Sequence, residues 1–358
     1  MTHAAITGWG KCLPPATLTN DDLATFLDTS DEWIASRTGI RERRISHVPL
    51  GELAYVSSMR ALAAAGLEPG AVELIVCGSC SFDDQVPNQA SGLQARLGAK
   101  RAASMDVNTA CTSFLYGLST ANALVRNGVV RNALVVGGEL ISSFIDWQNR
   151  GVCVLFGDGC ASVVLEATHR EEGVLAERLG CDSDARDTLV VEGMGGRYCN
   201  IGRFYGDTAW TFEGQEIFKR AVLGMSGACA DVLESRHVTA DDIGLVIPHQ
   251  ANLRIIEAVA KRAGVPMERV YVNVQRYGNM SAATVPVALV EALEEGRIQP
   301  GGLLLMPAFG AGLTWCAHLV RWGERLVPKG TSDVELPPCE KTALDLVQGL
   351  IRAKRHDA

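Results

Sequence analysis

The sequence predicts an α/β protein built from two copies of one βαβαβ-type unit, stacked as a five-layered α-β-α-β-α sandwich. Three observations carry this. Strand-like apolar runs alternate with helix-like runs, the pattern of parallel, buried sheets. The later half repeats the order of the earlier one. Apolar residues make up 47% and charged residues 21% of 358 residues, enough for a large core and too apolar for a disordered chain.

In the first half, "VELIVCGS" reads as a strand, residues 88–97 as a helix, "ASMDVNTA" as a strand, the run from Cys111 as a helix and "NALVVGGEL" as a strand. In the second half, "DDIGLVIPHQ", "RIIEAVAKRAG", "ERVYVNV", a helix after Asn279 and "GGLLLMPAFG" repeat that order. From Cys111 to the turn residue Gly128 is seventeen steps, and from Asn279 to Gly296 is again seventeen. Overlaying "VELIVCGS" on "IGLVIPHQ" sets Gly78 against His249. Equivalent strand ends then face a common centre. The expected organisation is a first half over residues 1–175, a second over 176–322 with a Gly-rich, irregular excursion at 180–211, and a linker with a short amphipathic helix, Ala343–Lys354, within 323–358.

Composition narrows the function. A formal net charge of −8 argues against nucleic acid as a partner. No apolar run is long enough for a membrane span, and "MTHAAITGWGKCLPP" breaks at Gly and Pro where a leader would be apolar, so the expected location is the cytoplasm. Eleven cysteines fall singly in apolar segments, as small core residues of a reducing compartment do. The exception, "CGSC" at Cys77–Cys80, reads as a strand running into a Gly-Ser turn. No metal-ligand cluster is evident.

Cys111 stands at a strand-to-helix junction, where free N–H groups and the helix dipole favour a thiolate. The duplication brings Asn279 to the matching helix start and His249 and "FGAG" to neighbouring strand ends. Together they make a nucleophile with two hydrogen-bonding partners.

These residues lie in six ordered motifs: "DTSDEWIASRTGIRERR", the Cys111 junction, "VLFGDGCASVVL", "IPHQANLRII", "YGNMSAATVPVAL" and "PAFGAGLTW". Through them the chain, from about Ile6 to Trp322, resembles the β-ketoacyl-acyl-carrier-protein synthase III family of the thiolase-like superfamily, which initiates type II fatty-acid synthesis. The resemblance implies that Cys111 carries the acyl group, with its own N–H and that of Ala311 as the oxyanion hole. It implies that His249 and Asn279 stabilise the enolate formed as malonyl-carrier protein loses CO2. Trp33, Arg37 and Arg150 would hold coenzyme A, while Gly214, Phe218, Ala251, Asn252 and Phe309 line the tunnel. Lys219, Arg220, Arg254, Lys261 and Arg262 would dock the acidic carrier protein. The resemblance further implies acyl-CoA and malonyl-carrier protein as substrates, no cofactor or metal, and a homodimer.

The chain departs from the family pattern in places. Val86 stands before Pro87 where acetyl-primed members carry an aromatic, which predicts a longer or branched primer. Asn108-Thr109 and Thr112-Ser113 replace smaller residues, Met280 replaces a Thr and is expected to reshape the tunnel, and Ala311 replaces a Gly. Other readings are a relative from secondary metabolism with a different acceptor, and a non-catalytic partner, which the intact Cys111 disfavours. A thiolase proper would need a second cysteine, and Cys316 reads as core.

Overall fold

The computed structural model describes residues 2–197 and 208–356. In the first half, the strands run across the sheet in the order Ala103–Val107, Leu74–Gly78, Asn132–Leu140, Asp158–Thr168 and His3–Cys12. The first two pairings are parallel and the next two antiparallel. In the second half, Val270 bridges in parallel to Ile243–Val246, followed by Leu303–Gly310, Thr314–Arg321 and Gly173–Cys181. There too the parallel pairings come first and the antiparallel ones follow. The duplication read from spacing is therefore also a duplication of strand order and direction. One difference stands out: His3–Cys12 and Gly173–Cys181 meet in parallel at Ala4 and Gly173, joining the two sheets edge to edge into a single nine-stranded ladder.

The middle layer is the pair of helices Ser113–Arg126 and Thr284–Glu294, the two runs overlaid in the sequence. Phe114, Leu115, Leu118, Ala121 and Val125 of the first share a core cluster with Val285, Leu289 and Leu293 of the second and with strands of both halves. Thr284 to Leu293 are all buried, as a helix packed on every side must be. Outside the first half's strands lie Leu50–Ala65 and Gln89–Leu97, and outside the second's lie Gly214–Ser235 and Leu253–Ala263. These are the five layers.

The excursion at 180–211 is more regular than expected. Gly173–Cys181 carries a strand into it, and Leu189–Glu192 pairs antiparallel with Ala209–Phe212; residues 198–207 lie outside the described part. The C-terminal segment is fastened to the first half. Arg325 donates to the carbonyls of Ala64 and Thr7, the Lys329 N–H donates to Ala64, and Arg60 pairs with Glu335 at 2.6 Å. Its helix, Ala343–His356, packs on the hairpin Ala16–Thr19/Glu42–Ile45, burying Ala343 and Val347 in one cluster with Leu18 and Ile45.

Candidate active site

Cys111 lies in a single 3₁₀ turn, Ala110–Thr112, between the strand Ala103–Val107 and the helix Ser113–Arg126. Ala110 is held in the left-handed region at φ +51, a strained conformation for a residue with a side chain. Side-chain bonds hold the bend: the Thr109 N–H donates to Ser113 Oγ at 2.9 Å, and that hydroxyl donates to the Ala110 carbonyl at 2.7 Å. From the other half, Gly310 presses against the turn so closely that a Cβ there would lie 2.8 Å from the Cys111 nitrogen. Ala311 follows at the hairpin tip, one residue beyond Gly310. Burial pushes the Cys111 thiol up to about 12, against the lowering expected from a helix start. Loss of water is the largest cause; the Ser281 hydroxyl opposes it and the Glu139 carboxylate adds to it.

His249 follows the strand Ile243–Val246, and its N–H donates to the Pro307 carbonyl at 2.8 Å. It is buried, and burial pushes its imidazole down to about 3, so it is neutral across the physiological range. Thr284 Oγ1 lies 2.6 Å from its Nδ1. Asn279 is pinned on both sides, its N–H donating to Leu155 and its carbonyl accepting from Gly157. Its Oδ1 accepts the Ser281 N–H at 2.8 Å, which turns the amide NH2 toward the cavity as a free donor. Gly278, at φ +62, allows this approach; a Cβ there would lie 2.7 Å from the Leu155 carbonyl oxygen.

Cys111, His249 and Asn279 line one cavity of about 240 Å³. Trp33, Arg37, Gly214, Phe218, Ala251, Asn252 and Phe309 line it with them. At its mouth the Trp33 ring lies between two guanidinium groups, Arg37 and Arg150, each 4.6 Å from the ring centroid. Arg150 is held there by the Asp28 carbonyl, and Asn252 Nδ2 donates to the Arg37 carbonyl at 3.2 Å. Buried Arg43 donates to the Val154 carbonyl at 2.7 Å, fixing a segment of the cavity wall. Three expectations are corrected. Val86 is 86% exposed and lies off the cavity, so within one chain it borders no acyl pocket. Met280 is wholly buried in the middle layer, its sulfur packed over Gly159, and leaves the tunnel unshaped. Cys111 is held as a thiol, as described above.

Comparison with known proteins decides the family. The profile described as 3-oxoacyl-[acyl-carrier-protein (ACP)] synthase III matches residues 105–183, and that of its C-terminal region matches 233–322. The chain is 51% identical over 357 residues to β-ketoacyl-[acyl-carrier-protein] synthase III 2 of Vibrio cholerae, covering 99% of each. The chain belongs to the β-ketoacyl-acyl-carrier-protein synthase III family. The crystal structure of 3-oxoacyl-[acyl-carrier-protein] synthase III from Aquifex aeolicus superposes with a TM-score of 0.84 at 40% identity, covering 89% of this chain and 100% of that one. The priming β-ketosynthase of the R1128 polyketide biosynthetic pathway does so with 0.84 at 31% identity, covering 90% and 97%.

In this synthase III chain the basic residues read as a docking patch divide. Lys219, Arg254, Lys261 and Arg262 are exposed, with Arg254 donating to the Ser36 carbonyl near the cavity mouth. Arg220 is a correction: it is tied to Glu216 at 2.8 Å, Asp184 at 2.9 Å and Asp182 at 3.6 Å, so its charge is spent within the chain. Among the described residues no cluster of His, Cys, Asp and Glu could hold a metal ion, and no helix is long and apolar enough to cross a membrane. Sequence reasoning missed Ser281, Thr284 and Glu139. The first two lie inside the quoted "NMSAAT", and Glu139 is a lone carboxylate closing the apolar strand "NALVVGGEL", a signal that could have been used.

Proposed function

We propose that this chain condenses an acyl-CoA primer with malonyl-acyl carrier protein, giving a β-ketoacyl-acyl carrier protein, CO2 and coenzyme A. The observation that carries the reading is the convergence of Cys111, His249 and Asn279 on one cavity. Cys111 attacks the thioester, and the N–H groups of Cys111 and Ala311 receive the oxyanion. The acyl group then rests on sulfur. As the malonyl group loses CO2, negative charge grows on its thioester oxygen. Asn279 Nδ2 and His249 Nε2 stabilise that enolate as neutral donors, which burial of His249 favours over a permanent cation. Each such donor is commonly worth about 3–4 kcal/mol in the transition state. The enolate carbon attacks the acyl-Cys, and the thiolate leaves.

Adenine binding calls for Arg150 to swing off Trp33, so that the base stacks where the guanidinium now lies. Exposed Lys219, Arg254, Lys261 and Arg262 suit an acidic carrier protein. The reaction needs neither metal nor redox cofactor, since the oxyanion and the enolate each meet hydrogen-bond donors of the chain and no step calls for an outside oxidant or reductant. The longer or branched primer requires a second subunit to bring the small Val86 to an acyl pocket, and the exposed segment around Val86 suits a homodimer that covers it. A cytoplasmic location agrees with the absence of a membrane-spanning helix among the described residues. A second reading, priming of a specialised pathway, draws on the likeness to the R1128 priming β-ketosynthase.

The test is intact-protein mass after exposure to acyl-CoAs from acetyl to dodecanoyl and branched forms, with Cys111→Ala alongside and a malonyl-carrier-protein chase. A mass gain absent from the variant and discharged to a β-ketoacyl product supports the condensation. Loading that survives the chase favours transfer to another acceptor. No loading overturns the nucleophile.

A further inference from the structure

Behind the nucleophile stands a carboxylate that the reaction above does not use. Glu139 closes the strand Asn132–Leu140, is 0% exposed, and is enclosed by partners that carry no positive charge. Its Oε2 accepts from Ser79 Oγ at 3.1 Å, Ser81 Oγ at 2.6 Å and Cys80 Sγ at 3.5 Å. Its Oε1 accepts from the Cys80 N–H at 3.0 Å and from Ser281 Oγ at 3.0 Å. Ser281 comes from the other half of the chain. The turn it opens, Ser281–Ala283, packs against the Cys111 turn, its hydroxyl is a neighbour that favours the Cys111 thiolate, and its N–H holds Asn279. Its backbone is strained at φ +45, the mirror of Ala110 at φ +51 beside Cys111. Two strained residues thus set a hydroxyl that donates to a buried carboxylate beside the turn of a half-buried thiol.

We propose that Glu139 takes up the thiol proton of Cys111 through the Ser281 hydroxyl and holds it while the acyl group rests on sulfur. The S–H bond breaks as that proton passes to Ser281 Oγ, and the hydroxyl's own proton passes to Glu139 Oε1. The thiolate attacks the acyl thioester, and the departing coenzyme A thiolate takes a proton from solvent. When condensation expels the Cys111 thiolate, the proton returns from Glu139 by the same two bonds. The cycle consumes one solvent proton, as decarboxylative condensation requires. Charge is conserved within the buried cluster at each transfer.

The surroundings favour this assignment. A thiol pushed up to about 12 needs a proton acceptor at neutral pH, and His249, pushed down to about 3, is a weak one. Burial raises Glu139 above the ordinary carboxylate range, which makes a protonated Glu139 tolerable. The remaining titratable group at the cluster, Cys80, is held well up as a thiol. The proposal rests on Cys111 being the nucleophile, and Glu139 acts on it only through Ser281.

The test is alkylation of full-length protein by iodoacetamide from about pH 6 to about pH 10, read as the mass of the Cys111 peptide, for wild type, Glu139→Gln and Ser281→Ala. A relay predicts that wild type keeps a pH-independent rate around neutrality, and that both variants lose it, reacting at least about tenfold more slowly at pH 7 and catching up as pH rises. A carboxylate acting only as a neighbouring negative charge predicts the opposite sign, because its removal makes the thiolate easier to form and Glu139→Gln faster. Faster or unchanged alkylation in Glu139→Gln overturns the relay. Should Glu139→Gln fail to fold, wild type decides by its own profile: a rate that climbs about tenfold per pH unit through neutrality, with no pH-independent span, overturns the relay. Alkylation needs no thioester, so failure to load any acyl-CoA would count against the condensation and leave this result standing.

Discussion

The Thr284 hydroxyl lies 2.6 Å from Nδ1 of His249 and 2.9 Å from the Ser281 carbonyl oxygen. It has one proton for two acceptors. When it donates to Nδ1, the ring proton sits on Nε2 and faces the cavity, the tautomer that an enolate needs. When it donates to Ser281, Nδ1–H must donate to Thr284 instead, and Nε2 presents a lone pair. Thr284 therefore governs whether His249 is a donor.

Thr284→Val removes the hydroxyl and keeps the shape. With a net hydrogen bond worth about 1 kcal/mol, the condensation step is expected to slow roughly fivefold. Acylation of Cys111 stays unchanged, and Thr284→Ser restores the rate. Single-turnover rates of the two half-reactions check this, and equal slowing of both would reject the tautomer role.

Neutral His249 has a consequence for pH. Because burial holds it near 3, decarboxylation of malonyl-carrier protein should show no His249 limb between about pH 5 and about pH 8. A limb near 6.5 that vanishes in His249→Gln would contradict it.

His318, wholly buried, is likewise pushed down to about 3 by burial, with Ser119 Oγ 2.8 Å from its Nε2. Its folded value lies below the unfolded one of about 6.5, so its contribution is present above about pH 6.5 and is lost as pH falls toward 3. Buried Asp158, raised to about 6 by burial, acts in the opposite sense: its contribution is complete below about 4 and lost as pH rises through 6. The two are separated by comparing wild type with His318→Gln in urea. The difference in unfolding free energy should fall by about 1.4 kcal/mol per pH unit below about pH 6. A constant difference would mean that His318 protonates freely in the fold.

Gly310→Ala tests the close approach of the two halves. Its Cβ would sit 2.8 Å from the Cys111 nitrogen and 2.9 Å from the Thr109 carbonyl oxygen, and neither backbone atom can yield cheaply. Overpacking of this kind costs about 1–3 kcal/mol, and here the displacement falls on the nucleophile. The acylation rate is expected to drop more than about tenfold with a modest loss of Tm. An unaltered rate would show that the turn has slack.

The C-terminal helix should stabilise the first half. Val347 is 0% exposed against a cluster that holds Leu18 and Ile45, and Phe26 and Leu27 pack on the same cluster. Asp28, which holds Arg150, borders a cavity of about 540 Å³ with Gln348 and Ile351 of the helix. Val347→Asp is expected to lose about 3 kcal/mol or more, read by urea unfolding, because it buries an unpaired charge. It should also raise KM for acyl-CoA more than it lowers kcat. A variant with wild-type stability would show that the helix is only an appendage.

The sequence by itself determined the duplication, and with it the central result. Once Cys111–Gly128 overlays Asn279–Gly296, and Gly78 overlays His249, the three residues must meet, because equivalent strand ends of two stacked units point to one place. That inference needs only spacing and turn chemistry, which are local. The tertiary structure decided what depends on contacts between distant segments. Arg220 looks like any surface arginine until Asp182 and Asp184 close on it from thirty-odd residues away. Met280 neighbours Asn279 in the chain yet points into the core, since its turn fixes adjacent side chains on opposite sides. The ionisation of Cys111 followed burial rather than its place before a helix, because desolvation depends on every atom around the sulfur and the helix dipole on one element alone. Glu139 and Ser281, 142 positions apart, became partners only when the two halves closed.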